Sequence, residues 1–99
     1  MKGVYISGPM TNRPDYNRPA FDRYERLLKA MGVEVVFNPA AQDRPADWTW
    51  ADHMAADLKE LTSGVYDVLL SLPDSDCSRG AQLERRVAEA IGIEVWEVK

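Results

Sequence analysis

Two carboxylates occupy positions that helical periodicity assigns to apolar side chains. On the third predicted helix the stripe runs through 84, 87, 88 and 91, filled by Glu84, Val87, Ala88 and Ile91. On the second it runs through 54, 57, 58 and 61, filled by Met54, Asp57, Leu58 and Leu61. An ionised carboxylate turned toward a core is strongly disfavoured unless it is paired, hydrogen-bonded or lining a wet pocket. In a wet pocket it can attack an electrophilic carbon or move a proton. Glu84 falls in the first turn after Gly80, where free N–H groups and the helix dipole favour negative charge. A plainer reading stands beside this one: Glu84 rotated to solvent, Asp57 a border residue. Periodicity leaves both open.

Small polar residues precede the same helix. Ser78-Arg79-Gly80 brings a hydroxyl and helix N–H groups toward one spot, which suits an anion. Ser7-Gly8, after the first strand-like run, is a similar cradle. Neither the Walker phosphate-loop spacing nor the dinucleotide fingerprint occurs in the sequence.

These residues must be positioned by the elements around them. Short apolar runs alternate with amphipathic segments, the pattern of βα units on a parallel sheet. Residues 4–7 form the first run, closed by Gly8-Pro9. A polar loop over 11–18 follows, with Asn17 as the expected cap of a helix carrying Phe21, Tyr24, Leu27, Leu28 and Met31, ended by Gly32. Residues 33–37 read as the second strand and 40–46 as a loop. Thr49 with Asp52 resembles a capping box, with Asp47 as the alternative cap. The second helix carries Trp50, Met54, Leu58 and Leu61 and is ended by Gly64. Residues 65–72 read as a central strand, 73–77 as an acidic turn-rich loop, 80–90 as a helix stopped at Gly92, and 93–98 as the last strand. The order βαβαβαβ predicts an α/β open doubly wound parallel sheet of the flavodoxin/Rossmann-like kind, ordered 2-1-3-4. Ligands of such sheets sit beyond the carboxyl ends of the strands where the order reverses, here between the first and third. The loops 7–13 and 73–80 meet there.

The bulk numbers fit one domain over 1–99. Ninety-nine residues are too few for two cores, and a small domain gains from association, so a homo-oligomer (dimer or tetramer) is expected. A 45% hydrophobic share argues against disorder. A net charge of −4 with interspersed signs argues against binding of polymeric nucleic acid. The single cysteine excludes an intrachain disulfide, and no run reaches membrane-spanning length or reads as a leader, so the expected setting is a reducing cytoplasm without membrane attachment.

Taken together these segments resemble the nucleoside 2-deoxyribosyltransferase-like superfamily, in particular its short phage and prophage branch. The likeness is carried by Tyr5-Ile6-Ser7-Gly8-Pro9-Met10, His53-Met54-Ala55-Ala56-Asp57-Leu58, Tyr66-Asp67-Val68-Leu69-Leu70 and, above all, Ser78-Arg79-Gly80-Ala81-Gln82-Leu83-Glu84. It spans nearly the whole chain in order. The resemblance implies cleavage or transfer of the N-glycosidic bond of a deoxynucleoside or its 5′-monophosphate. Glu84 would attack C1′ and form a covalent glycosyl-enzyme, resolved by water or a second base with retention. Tyr5 would hold Glu84 in line, and Asp57 would bind the sugar hydroxyl or help protonate the leaving base. Ser7, Gly8, Pro9, Met10, Ser78 and Gly80 would surround the substrate, the serines and glycines at its 5′ end. No metal or organic cofactor is needed for this chemistry. The alternative implied is a non-catalytic nucleotide or sugar-phosphate binder.

Two features depart from the superfamily pattern. Several relatives have glycine two residues before the nucleophile, where this chain has Gln82. The longer enzymes also place a C-terminal residue in a neighbour's active site, and this sequence offers no counterpart, which bears on transfer more than on binding. Other residues have their own readings. Cys77, with His53 as its only histidine partner, reads as a plain loop cysteine. His53 either assists protonation of the base or is an exposed helical histidine. Asp74 and Asp76 suit a turn better than a cation. Trp48 and Trp50 cover the base pocket, fill the core or anchor a subunit contact. Tyr16 and Arg13 are placed to form a lid.

Overall fold

The computed structural model describes residues 3–99. Strands β1 (Gly3–Ser7), β2 (Val35–Phe37), β3 (Val68–Ser71) and β4 (Glu94–Glu97) alternate with helices α1 (Arg18–Ala30), α2 (Trp50–Leu61) and α3 (Arg79–Ala90). Every strand pairing is parallel and the sheet runs β2-β1-β3-β4, the doubly wound order that the sequence predicts.

The pleat of β1 decides what lies on each face. Val4 and Ile6 pack with Phe21 and Leu28 of α1. Tyr5, pointing the other way, packs with Leu61 of α2, Leu69 of β3 and Ala88 of α3. Full burial of a side chain such as Phe21 or Leu61 stabilises the fold by roughly 2 kcal/mol. Because alternate residues share a face, Ser7 joins Tyr5 beneath α2 and α3. The register sets Tyr5 beside Leu69 and Ser7 beside Ser71, so β1 and β3 end level with each other.

Local chemistry fixes the helix starts. Thr49 Oγ1 accepts from Asp52 N at 3.2 Å and Asp52 Oδ2 accepts from Thr49 N at 2.9 Å, so Thr49 rather than Asp47 is the cap of α2. Ser78 Oγ accepts from Ala81 N at 3.2 Å at the start of α3. Gly32 and Gly92 follow α1 and α3 in the left-handed region, with φ of 92° and 86°.

Several boundaries differ from those expected from sequence. Asn17 stands at the N-cap position of α1 without capping it: its φ is 62°, and its amide donates instead to the Pro9 carbonyl at 2.9 Å. Asp15 and Tyr16 before it are also left-handed, both with φ of 51°. The strands are shorter than the apolar runs, because Val33, Tyr66 and Leu72 are core residues lying outside the ladder. Helix α2 ends at Leu61, three residues before Gly64. Leu27, Met31 and Ile91, expected on buried stripes, are exposed, since α1 turns Phe21 and Leu28 inward and α3 turns Ala81, Glu84 and Ala88. Among the described residues no helix is long and apolar enough to cross a membrane.

Candidate active site

A cavity of about 560 Å³ opens beyond the carboxyl ends of β1 and β2, against α2 and the start of α3, a volume suited to a small ligand. The exit from β1 contributes Gly8, Met10 and Thr11, and the start of α3 contributes Ser78, Gly80, Ala81 and Glu84. The β2–α2 connection and α2 supply Arg44, Trp48, Trp50, His53 and Asp57.

Glu84 reaches this place because α3 turns Ala81, Glu84 and Ala88 toward the sheet. Two alanines on that face let the helix approach closely. Glu84 exposes only 5% of its surface and Asp57 only 7%, so the plainer reading of a solvent-facing acid and a border residue is corrected for both. The Tyr5 hydroxyl donates to Glu84 Oε2, and Ser7 Oγ donates to Oε1 at 2.8 Å. Tyr5 is itself held by a stack on Phe37, with ring centroids 5.0 Å apart, and an edge contact with Tyr66 at 5.8 Å.

Burial pushes the Glu84 carboxyl up to about 7, and the charge of Asp57 adds to the rise. The hydroxyls of Tyr5 and Ser7 and the Arg44 guanidinium oppose it by favouring the ionised form. Near neutral pH Glu84 therefore occupies both states. Burial, then the negative charge of Glu84, pushes the Tyr5 phenol far up, so this hydroxyl remains a donor.

Asp57 has a different partner. Burial raises its carboxyl above the ordinary range, while an ion pair with Arg44 Nη2 opposes the rise. The other end of the guanidinium, Nη1, lies 3.2 Å from His53 Nδ1. The Arg44 guanidinium also sits over Trp48, 5.6 Å from the ring centroid, and Trp48 meets His53 edge to face at 5.4 Å. Trp50 carries the Arg79 guanidinium at 3.9 Å. Both tryptophans thus belong to the cavity wall.

The structure gathers most of the residues singled out in the sequence. Gly8, Met10, Asp57, Ser78, Gly80 and Glu84 line the cavity. Tyr5 and Ser7 lie behind Glu84 and act on it. Pro9 does not line the cavity; it is buried and its carbonyl takes the Asn17 amide. Of the loop 73–80 only Ser78 and Gly80 reach the wall, and the β2–α2 connection replaces the rest. Tyr16 stands at the cavity and is exposed, whereas Arg13 pairs with Asp74 at 3.3 Å. Gln82 is exposed and donates to the Asp76 carbonyl, so it does not narrow the cavity. Cys77 is exposed and free. Among the described residues no group of three or more His, Cys, Asp or Glu side chains is arranged to hold a metal ion. Nothing in the sequence pattern singles out Arg44. The one signal for it is indirect: a buried Asp57 requires a donor from elsewhere in the chain.

Residues 2–97 match the family described as a domain of unknown function (DUF4406). The chain belongs to that family. No curated protein and no solved structure matches it. In this DUF4406 domain the chemistry on offer is that of a buried carboxylate aligned by two hydroxyls, facing a second carboxylate neutralised by arginine, under an aromatic wall.

Proposed function

We propose that this protein cleaves or exchanges the N-glycosidic bond of a deoxynucleoside or its 5′-monophosphate. The observation that carries the reading is the convergence of Tyr5 and Ser7 on Glu84 at a cavity large enough for a nucleoside. In the first step a Glu84 oxygen bonds to C1′ as the C1′–N bond breaks, and the electron pair of that bond leaves with the base, which takes up a proton from water in the open cavity. In the second, water or another base attacks C1′ and expels the carboxylate, giving net retention. The two hydroxyl donors hold Glu84 in line for both displacements. Trp48 and Trp50 offer flat apolar faces to a nucleobase, and the Ser78–Gly80 corner offers a hydroxyl and helix N–H groups to a 5′-phosphate.

The test is incubation with a panel of deoxynucleosides and their monophosphates, with and without a free acceptor base. Base release or exchange that disappears in Glu84→Gln is the expected result. A ligand-dependent rise in melting temperature without base release would assign a binder instead and overturn the reading.

A further inference from the structure

Arg44 belongs to no helix or strand, yet its guanidinium ties together two cavity residues of α2. Nη2 is ion-paired with Asp57 Oδ1, and Nη1 meets His53 Nδ1 at 3.2 Å. The Arg44 and Asp57 side chains are only 13% and 9% exposed, so bulk water screens the pair little. Arginine is always charged and only donates, so the histidine nitrogen facing it must accept. An imidazolium, with N–H on both nitrogens, does not satisfy this contact. The single proton of a neutral His53 then sits on Nε2.

We propose that Arg44 is the positioning residue of the cavity, holding Asp57 as an ionised acceptor and His53 as a neutral imidazole protonated on Nε2. Its functional meaning rests on the glycosidic reading. An ionised Asp57 has no proton to give, so of the two roles open to it, this assigns binding of a sugar hydroxyl rather than protonation of the leaving base. Glu84, aligned by hydroxyls instead of a cation, is left as the carboxylate that meets C1′. The charged and titratable groups around Asp57 are His53 on its own helix, Arg44 from the β2–α2 connection, Glu84 from α3 and Tyr5 from β1.

The experiment follows carboxyl ¹³C and imidazole ¹⁵N resonances of the full chain across pH, in wild type, Arg44→Lys and Arg44→Gln. In wild type, Asp57 is expected to be ionised at pH 7 and to titrate below Glu84, with His53 carrying its proton on Nε2. In Arg44→Gln the Asp57 midpoint rises by about one pH unit or more, as expected when an adjacent arginine is removed. Arg44→Lys restores the charge and recovers most of that shift, while the histidine loses its fixed tautomer because lysine lacks the two-pronged fork. An Asp57 protonated at pH 7 in wild type, a His53 proton on Nδ1, or an unmoved midpoint in folded Arg44→Gln overturns the proposal. Should Arg44→Gln fail to fold, the wild-type and Arg44→Lys spectra decide. Base release is measured in parallel: its absence in wild type sinks the glycosidic reading and leaves the spectroscopic test of Arg44 intact. Where base release occurs, Arg44→Gln raises KM for the deoxynucleoside more than it lowers kcat, and Arg44→Lys partly reverses this.

Discussion

The phenol of Tyr5 and the carboxylate of Glu84, 79 positions apart in sequence, are hydrogen-bonded to each other in the protein interior. One sits on the central strand and the other on the last helix. The contact therefore depends on the whole sheet order being in place, and the folded domain is what creates the aligned acid.

Glu84 makes stability depend on pH. Its carboxyl is raised from 4.5 to about 7, so between those values the folded chain binds a proton that the unfolded chain has released. Its contribution is fully present below the lower value and declines by about 3 kcal/mol on passing through the upper one. Urea unfolding of wild type and Glu84→Gln across this range is expected to show the glutamine variant gaining on wild type as pH rises. Parallel curves for the two would contradict the buried, destabilised carboxylate.

Tyr5→Phe removes one of the two hydroxyls on Glu84 and keeps the ring contacts with Phe37 and Tyr66. That hydroxyl favours the ionised carboxylate, so its loss raises Glu84 further and moves the acid limb of the pH–rate profile to higher pH. The rate at neutral pH is expected to fall roughly tenfold to hundredfold, the worth of a charge-assisted hydrogen bond. Kinetics across pH check both effects, and an unshifted limb would count against the pairing.

Asn38 ties the end of β2 to α1. Its buried amide donates to Asp22 Oδ1 and Glu25 Oε1, each at 2.9 Å, and its Oδ1 accepts from Ala40 N at 2.9 Å. Asn38→Ala leaves these groups without their shared partner, at a cost of about 2–4 kcal/mol and roughly 10–20 °C in melting temperature. Arg13→Ala, at a position with ordinary extended backbone, deletes the exposed pair with Asp74 and is expected to change stability by no more than about 0.5 kcal/mol. Thermal melts compare the two.

The parts that sequence made legible share a cause: each interrupts or repeats a period. Alternating runs and helical stripes revealed the topology, and Glu84 and Asp57 stood out by breaking an apolar face. Tyr5 was different. Nothing in its own neighbourhood marks a buried tyrosine as an acid's partner, and only the family resemblance pointed to it. Arg44 escaped because a loop has no period to violate; its meeting with Asp57 arises from how residues 38–49 fold back over α2. The expected cap at Asn17 failed for a related reason, since a polar side chain before a helix can serve another acceptor, here the Pro9 carbonyl.

The β2–α2 connection has a consequence for how such a domain can diversify. The aligned acid is anchored in β1 and α3, elements whose side chains also build the core, so changing them jeopardises folding. Arg44 and Trp48 instead ride on a stretch whose residues 41–49 are mostly outside the core. New ligand preferences can accumulate there by loop exchange, with Tyr5, Ser7 and Glu84 left untouched.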